Sequence, residues 1–185
     1  MDDDKLIERA KQGDLDAFRA LVEKYFPVVE RFAYQIGNPA SQIDDITQEV
    51  FLRVYRFLNT FSKGKFSTWL YQITLNISRD NMRKNKRDQE KMEKLYREPS
   101  PAVVEVEGQL LKKDEYRHLH GLITELDDKY KIPLILFYFQ EKKYDEIAEI
   151  LSIPLATVKT RISRARRKLK EALGEAAGGE DDGRL

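Results

Sequence analysis

Seven Lys or Arg stand between Leu155 and Lys170 without one Asp or Glu, in a chain of 185 residues whose net charge is only +1. Such a run holds phosphates by charge, and the planar fork of arginine can also donate two hydrogen bonds to one guanine. Along LATVKTRISRARRKLK and just past it, Val158, Ile162, Ala165, Leu169 and Leu173 recur on one side of a helical wheel. Turning those residues inward points Ala156, Thr160, Ser163, Arg164 and Arg167 outward, with Lys159, Arg161, Arg166 and Lys168 on the flanks. A merely solvated helix would mix its signs and pair acids with bases four residues apart, and the segment holds no such pair. Repulsion left unrelieved in this way is relieved by a polyanion, so a nucleic acid is the expected partner.

A second basic block lies upstream. Residues 61–97 hold ten basic and four acidic side chains, whereas residues 1–60 hold eight basic and eleven acidic ones. The apolar stripe Phe66, Trp69, Leu70, Ile73 and Ile77 stops within this block, and the same side of the helix continues as Asp80, Asn81 and Lys84. Gln72, Asn76, Arg79, Arg83 and Lys86 share an outer face, polar at first and cationic later. Phe61, Phe66, Trp69 and Tyr71 stand just before it. Cations beside aromatics suit single-stranded nucleic acid, with phosphates on the cations and bases stacked or pocketed. Phe66 and Trp69 are read as plain core, which leaves the loop Phe61–Lys65, with Lys63 and Lys65, as the expected base contact.

A third face is not basic. Ser41 and Asp44 are spaced as a capping box, opening a helix whose inner side is Ile43, Ile46, Val50, Val54, Phe57 and Leu58. The opposite side is then Asp45, Gln48, Glu49, Leu52 and Arg56, with Leu52 aimed almost straight at solvent. A lone exposed leucine needs no explanation, yet an apolar anchor in a polar rim is also the layout of a protein interface. The pattern alone fits both readings equally. Asp44, Asp45 and Glu49 would suit a hard metal ion, but no phosphate-binding loop accompanies them, and neither a metal nor a cofactor is expected.

Apolar spacing of three and four runs throughout, β-branched alternation is almost absent, and Gly and Pro sit at boundaries, so the expected fold class is all-α. Asp14 caps a helix with Phe18, Leu21, Val22 and Tyr25 inward; the stripe resumes after Pro27 and ends at Gly37–Asn38–Pro39. Pro99 and Pro101 in REPSPAVVEVEG bar a continuing helix and mark a joint. The expected division is a helical domain over 1–97, a flexible linker over 98–109, a second helical domain over 110–174 and a disordered acidic tail over 175–185. In the second domain Asp127 or Asp128 opens a helix in which Pro133 should cause a kink or a delayed start. YDEIAEILSIPLATVKTRISRARRKL then gives two helical stretches with a short break at Ser152–Ile153–Pro154, a helix-turn-helix whose second helix enters the major groove of DNA.

The absence of Cys excludes disulfides and Cys-based zinc sites and fits a reducing cytoplasm. The acidic start MDDDKLIERA lacks the order of a signal peptide, and the longest apolar run, at Pro133–Tyr138, is far short of the ~20 residues of a membrane span. A cytoplasmic protein without membrane insertion is expected. His118 and His120 are two residues apart and do not share a helix face, which makes a poor metal pair. No nucleophile–base pair or paired catalytic carboxylate is present, so the chain is not read as an enzyme.

Taken together, DDITQEVFLRVYRFLNTF, FSTWLYQITLNISRDNMRKNKR and YDEIAEILSIPLATVKTRISRARRKL resemble, in order and spacing, the sigma factors of bacterial RNA polymerase, in the short two-domain form of the extracytoplasmic-function group. The resemblance implies that Asp45, Gln48, Glu49, Leu52, Arg53 and Arg56 grip the clamp coiled coil of core RNA polymerase, and that the polymerase flap is a further contact. It implies that Phe61, Lys63 and Lys65 with Asn76, Arg79, Asp80, Arg83 and Lys86 recognise and melt the minus-ten promoter element. The helix-turn-helix would read the minus-thirty-five element through Tyr144, Ala156, Thr157, Lys159, Thr160, Arg161, Ser163, Arg164 and Arg167. Promoter DNA, core polymerase and an anti-sigma factor are the implied partners. Two positions depart from the family pattern: Ala156, where Gly is frequent, and Leu126–Asp127, where Leu-Pro is frequent, with Asp127 expected to cap instead. The alternative is a free-standing helix-turn-helix regulator, which accounts for the last helix but not for the upstream basic block.

Overall fold

Three- and four-residue apolar spacing folds here as helices throughout. The structure, a computed structural model, describes residues 2–62, 64–95 and 112–178. Among them are eight α-helices and no strand, so the fold is all-α. In one compact unit α1 (Asp3–Lys11), α2 (Leu15–Gln35), α3 (Ile43–Phe57) and α4 (Phe66–Leu95) enclose an apolar core. In the other, α5 (Lys112–Glu125) leads to α6 (Asp128–Tyr138), α7 (Tyr144–Leu151) and α8 (Leu155–Gly178), with α8 packed on α6 and α7. The expected linker over 98–109 lies outside the described residues. The acidic tail was expected from 175, yet α8 runs on to Gly178, because Glu and Ala are strong helix formers that outweigh a lone Gly174.

Asp14 caps α2 as expected. Its carboxylate accepts from the N–H groups of Asp16 and Ala17, both at 3.0 Å, and pairs with Arg9 at 2.7 Å. The bond from Ala17 and then the Arg9 guanidinium hold its pKa below the ordinary carboxylate value. The helix passes through Pro27 without a break: Pro27 and Glu23 are both exposed, so water can serve the carbonyl that loses its donor. Gly37, at φ 105°, ends the segment in a conformation that suits glycine.

Four local expectations need correction. A 3-10 turn, Ala40–Gln42, precedes α3, closed by Gln42 N–H donating to Pro39 O at 2.9 Å. Ser41 therefore sits inside a turn instead of at a boundary, and the expected capping box does not form. At the other end α3 tightens into a second 3-10 turn, Leu58–Thr60, which turns Leu58 into the core and leaves Phe57 45% exposed. Thr47 and Phe51 complete the buried side of α3. In the second unit α6 starts at Asp128 without delay and continues through Pro133, which is buried with Ile132, Leu134, Ile135 and Leu136. That burial outweighs the single backbone bond removed by the ring. Asp127 holds the cap position, but its carboxylate makes no capping bond and lies 3.5 Å from Lys129.

A second polar link, besides Arg9–Asp14, ties the N-terminal helix to α2. Asp3 accepts from Lys24 Nζ and Tyr25 Oη, both at 2.5 Å. Burial pushes the Asp3 pKa up, but the bonds from Lys24 and Tyr25 and the Lys24 charge outweigh it, leaving it below the ordinary 3.8. A depressed carboxylate contributes stability that is full above its unfolded value and lost as pH falls through the folded one. Acidification through the range just below 3.8 should therefore loosen the start of α1, and Asp3→Asn should remove that step. Hydrogen exchange of the α1 amides against pH checks it; identical profiles for the two proteins would contradict it.

Candidate nucleic-acid interface

The two helices of the C-terminal motif are joined by a turn that sets how α8 begins. Lys143 N–H donates to Glu146 Oε2 at 2.9 Å where α7 starts. At its end Ser152 takes the left-handed conformation, φ 53° and ψ 46°, and Ile153 N–H donates to Ala148 O at 3.0 Å. Pro154 O then accepts from Thr157 and Val158 N–H at 2.9 and 3.1 Å, opening α8. Val158, Ile162 and Ala165 are buried, while Ala156, Lys159, Thr160, Ser163, Arg164 and Arg167 are exposed and Thr157 and Arg161 are half-buried. Leu169 is partly covered, but Leu173, expected inward, is 42% exposed, because α8 is much longer than the helices it packs on.

Side-chain contacts grade these outward groups. Thr160 Oγ1 donates to Ala156 O at 2.9 Å, fixing its rotamer with acceptor capacity to spare. Arg167 lies 3.7 Å from Glu171, and both are largely exposed, so the pair is weak and the guanidinium charge stays available. Lys168 Nζ lies 5.8 Å from the centre of the Tyr130 ring. Tyr144 is half-buried with its ring stacked on Phe137, centroids 4.9 Å apart, which makes it a packing residue as well as a surface one.

On α4, Asn76, Asp80, Arg83 and Lys86 are exposed, and Gln72 and Arg79 are half-buried. The Asp80–Arg83 contact, 3.7 Å between exposed groups, does little to neutralise the stretch. Phe61 is not held out on an open loop: its ring stacks on Trp69 at 5.2 Å and meets Phe66 edge-on at 5.8 Å. Phe66 is core and Trp69 packs against it, as the spacing predicts. Lys11 Nζ, from α1, lies 5.9 Å from the Phe61 ring centre. Gly64, at φ 92°, makes the turn before the exposed Lys65, and Lys63 lies outside the described residues.

The outer side of α3 presents Asp45, Gln48, Glu49, Leu52 and Arg56 to solvent, with Arg53 half-buried and 3.4 Å from Glu49. Leu52 is 61% exposed, as the wheel requires, and Tyr55, three residues on, adds a second apolar group at 56%. Tyr55 was missed in the sequence although it stands at helical spacing from Leu52; its ring meets Phe18 edge-on at 5.1 Å. Also missed was Gln42, whose side-chain Oε1 accepts from Asn81 and Asn85 at 2.5 and 2.8 Å. Among the described residues no cluster of His, Cys, Asp or Glu could hold a metal ion, and no helix is long and apolar enough to cross a membrane.

The chain is similar to known proteins. The Sigma-70 region 2 family matches residues 21–88, spanning α3 and most of α4, and the Sigma-70, region 4 family matches residues 116–169, spanning α6, α7 and α8 as far as Leu169. The chain is 34% identical over 178 residues to the ECF RNA polymerase sigma factor SigW of Bacillus subtilis (strain 168), covering 91% of this chain and 95% of that one. The solved structure of CnrH in complex with the cytosolic domain of CnrY is similar with a TM-score of 0.71 and 26% identity, covering 94% of this chain and 97% of that chain. The sigma factor RpoE of Bartonella quintana, solved with the anti-sigma factor NepR, shares the fold at a TM-score of 0.68 and 22% identity over 85% of this chain and 96% of that one. With both region families matched in order and a relative matched over nearly its whole length, this chain belongs to the ECF RNA polymerase sigma factors.

Proposed function

We propose that the three exposed faces divide the work of one sigma factor, which binds core RNA polymerase and directs it to specific promoters to start transcription. The observation that carries this reading is that each of the two matched regions ends in a helix with cations on its solvent side. In it, residues 1–97 dock on the polymerase clamp through Asp45, Gln48, Glu49, Leu52, Arg53 and Arg56. The same unit engages the minus-ten element with Phe61, Lys63, Lys65, Asn76, Arg79, Asp80, Arg83 and Lys86. The unit over 110–174 reads the minus-thirty-five element with the outward residues of α8, and the segment 98–109 links the two. The family is in general not one of enzymes, and this chain is read as acting in the cytoplasm by binding alone. Two related structures each hold a second protein, one of them an anti-sigma factor, which supports an anti-sigma partner here.

Footprinting tests the reading. Holoenzyme assembled from core polymerase and this chain should protect two separated promoter elements, and the chain alone neither. Full protection by the chain alone would favour a free-standing regulator, a reading that leaves the region 2 match unexplained.

A finer expectation concerns α4. Arg79→Ala with Arg83→Ala should weaken promoter opening more than closed-complex formation, because both cations stand on the helix that begins at Phe66 and Trp69 and not on the duplex-reading helix. Permanganate reactivity of the melted strand, compared at equal polymerase occupancy, reads the difference. An unchanged pattern would leave those arginines merely solvated.

A further inference from the structure

Between Ser78 and Lys91 no residue of α4 is buried, yet the helix continues as far as Leu95. A polar helix without a packed face is marginal in water. Three side-chain amides take over where the apolar stripe stops. Asn81 and Asn85, one helical turn apart, both donate to Gln42 Oε1, at 2.5 and 2.8 Å, and Gln42 Nε2 donates back to Asn85 Oδ1 at 3.5 Å. Gln42 closes the 3-10 turn that leads into α3 and stands at that helix's cap position. All three amides are half-buried, so their bonds are partly shielded from competing water.

The positions matter as much as the bonds. Residues two apart on a helix do not share a face. When Asn81 and Asn85 are held on Gln42, Arg79 and Arg83 are turned to the far side of α4. Two donors converging on one acceptor thus hold this part of the helix in the rotation that the buried Ile73 and Ile77 set in the turns before it.

We propose that Gln42 is a positioning residue for promoter opening: by holding Asn81 and Asn85 it fixes the direction of the α4 cations relative to α3. The inference rests on the reading of α4 as a DNA-facing helix. Cations already aimed and ordered lose less conformational freedom when a strand arrives, and so hold it more tightly.

The test uses holoenzyme made with the full chain, together with hydrogen exchange on the chain itself. Gln42→Leu removes the acceptor and the donor, whereas Gln42→Glu keeps the acceptor oxygens. Gln42→Leu should speed exchange of the amides at 81–87 by about tenfold and lower the opened fraction by about tenfold at equal closed-complex occupancy. Gln42→Glu should restore both. Asn81→Ala with Asn85→Ala, which cuts the same bonds from the other side, should reproduce the Gln42→Leu result. Faster exchange with unchanged opening would reduce the amides to a structural role and overturn the proposal, as would unchanged exchange. Arg79→Ala with Arg83→Ala is run in parallel. If that variant impairs opening and Gln42→Leu does not, only the proposal fails; if neither does, the DNA-facing reading of α4 fails and takes the proposal with it.

Discussion

Leu52→Asp is expected to leave the helical fold intact and to weaken binding to core RNA polymerase by at least about thirtyfold. Leu52 is 61% exposed in the free chain, so removing its side chain takes nothing from the core. An exposed substitution of this kind stays within about 0.5 kcal/mol of neutral, plus a few tenths for the lower helix propensity of Asp. At an interface the same change puts a carboxylate where a desolvated apolar anchor should sit, beside Asp45, Gln48 and Glu49. Loss of an anchor costs ~2 kcal/mol or more. Thermal unfolding by circular dichroism should match the parent protein while retention of core polymerase in a pull-down collapses. Unchanged retention would mean that α3 presents a different face to its partner.

Arg164→Ala and Lys168→Ala should fail differently. Arg164 stands on the outward line of α8 with Thr160 and Ser163, whereas Lys168 lies a turn further on and beside the Tyr130 ring. Early residues of a recognition helix reach base edges, and later ones meet phosphates. Arg164→Ala should cost ~1–3 kcal/mol and relax preference at particular bases of the upstream element. Lys168→Ala should weaken all promoters alike and reduce the salt slope by about one unit. Single-base promoter variants, assayed with each mutant holoenzyme at two salt concentrations, separate the two patterns. An equal loss at every promoter for Arg164→Ala would mean that α8 enters the groove in another rotation.

Where one strong period ruled a segment, the structure was legible in advance. Leu52 pointing to solvent and Val158, Ile162 and Ala165 pointing inward both follow from 3.6-residue periodicity acting on residues with only one place to go. The short break at Ser152–Ile153–Pro154 was legible because the inward stripe of α7 lapses there and Pro154 disfavours helical backbone in the residue before it. The misses cluster where the chain leaves the α-helical period. At Ala40–Gln42 and Leu58–Thr60 the backbone tightens to three residues per turn, which displaced the Ser41 cap and rotated Phe57 outward. The delayed start expected at Pro133 did not occur because a local rule about backbone bonds competed with burial that only tertiary packing reveals.

The polar parts of the site were read least well, for a related reason. Asn81 could be seen to stand where the apolar stripe should have gone on, but its partner Gln42 lies 39 residues earlier in a turn with no periodic signature. Hydrogen bonds between side chains distant in sequence leave no spacing to detect. Phe61 illustrates the same limit for aromatics: composition marked it for stacking, and the fold supplies Trp69 as the ring it stacks on.

Run-off transcription addresses the central claim most directly. Core RNA polymerase, supplied with this chain and a library of genomic promoter fragments, should yield discrete transcripts from a small set of templates that core polymerase alone ignores. Leu52→Asp at the same concentration should remove them. No template-specific transcript with the intact chain, under conditions in which another sigma factor activates the same polymerase, would contradict the assignment.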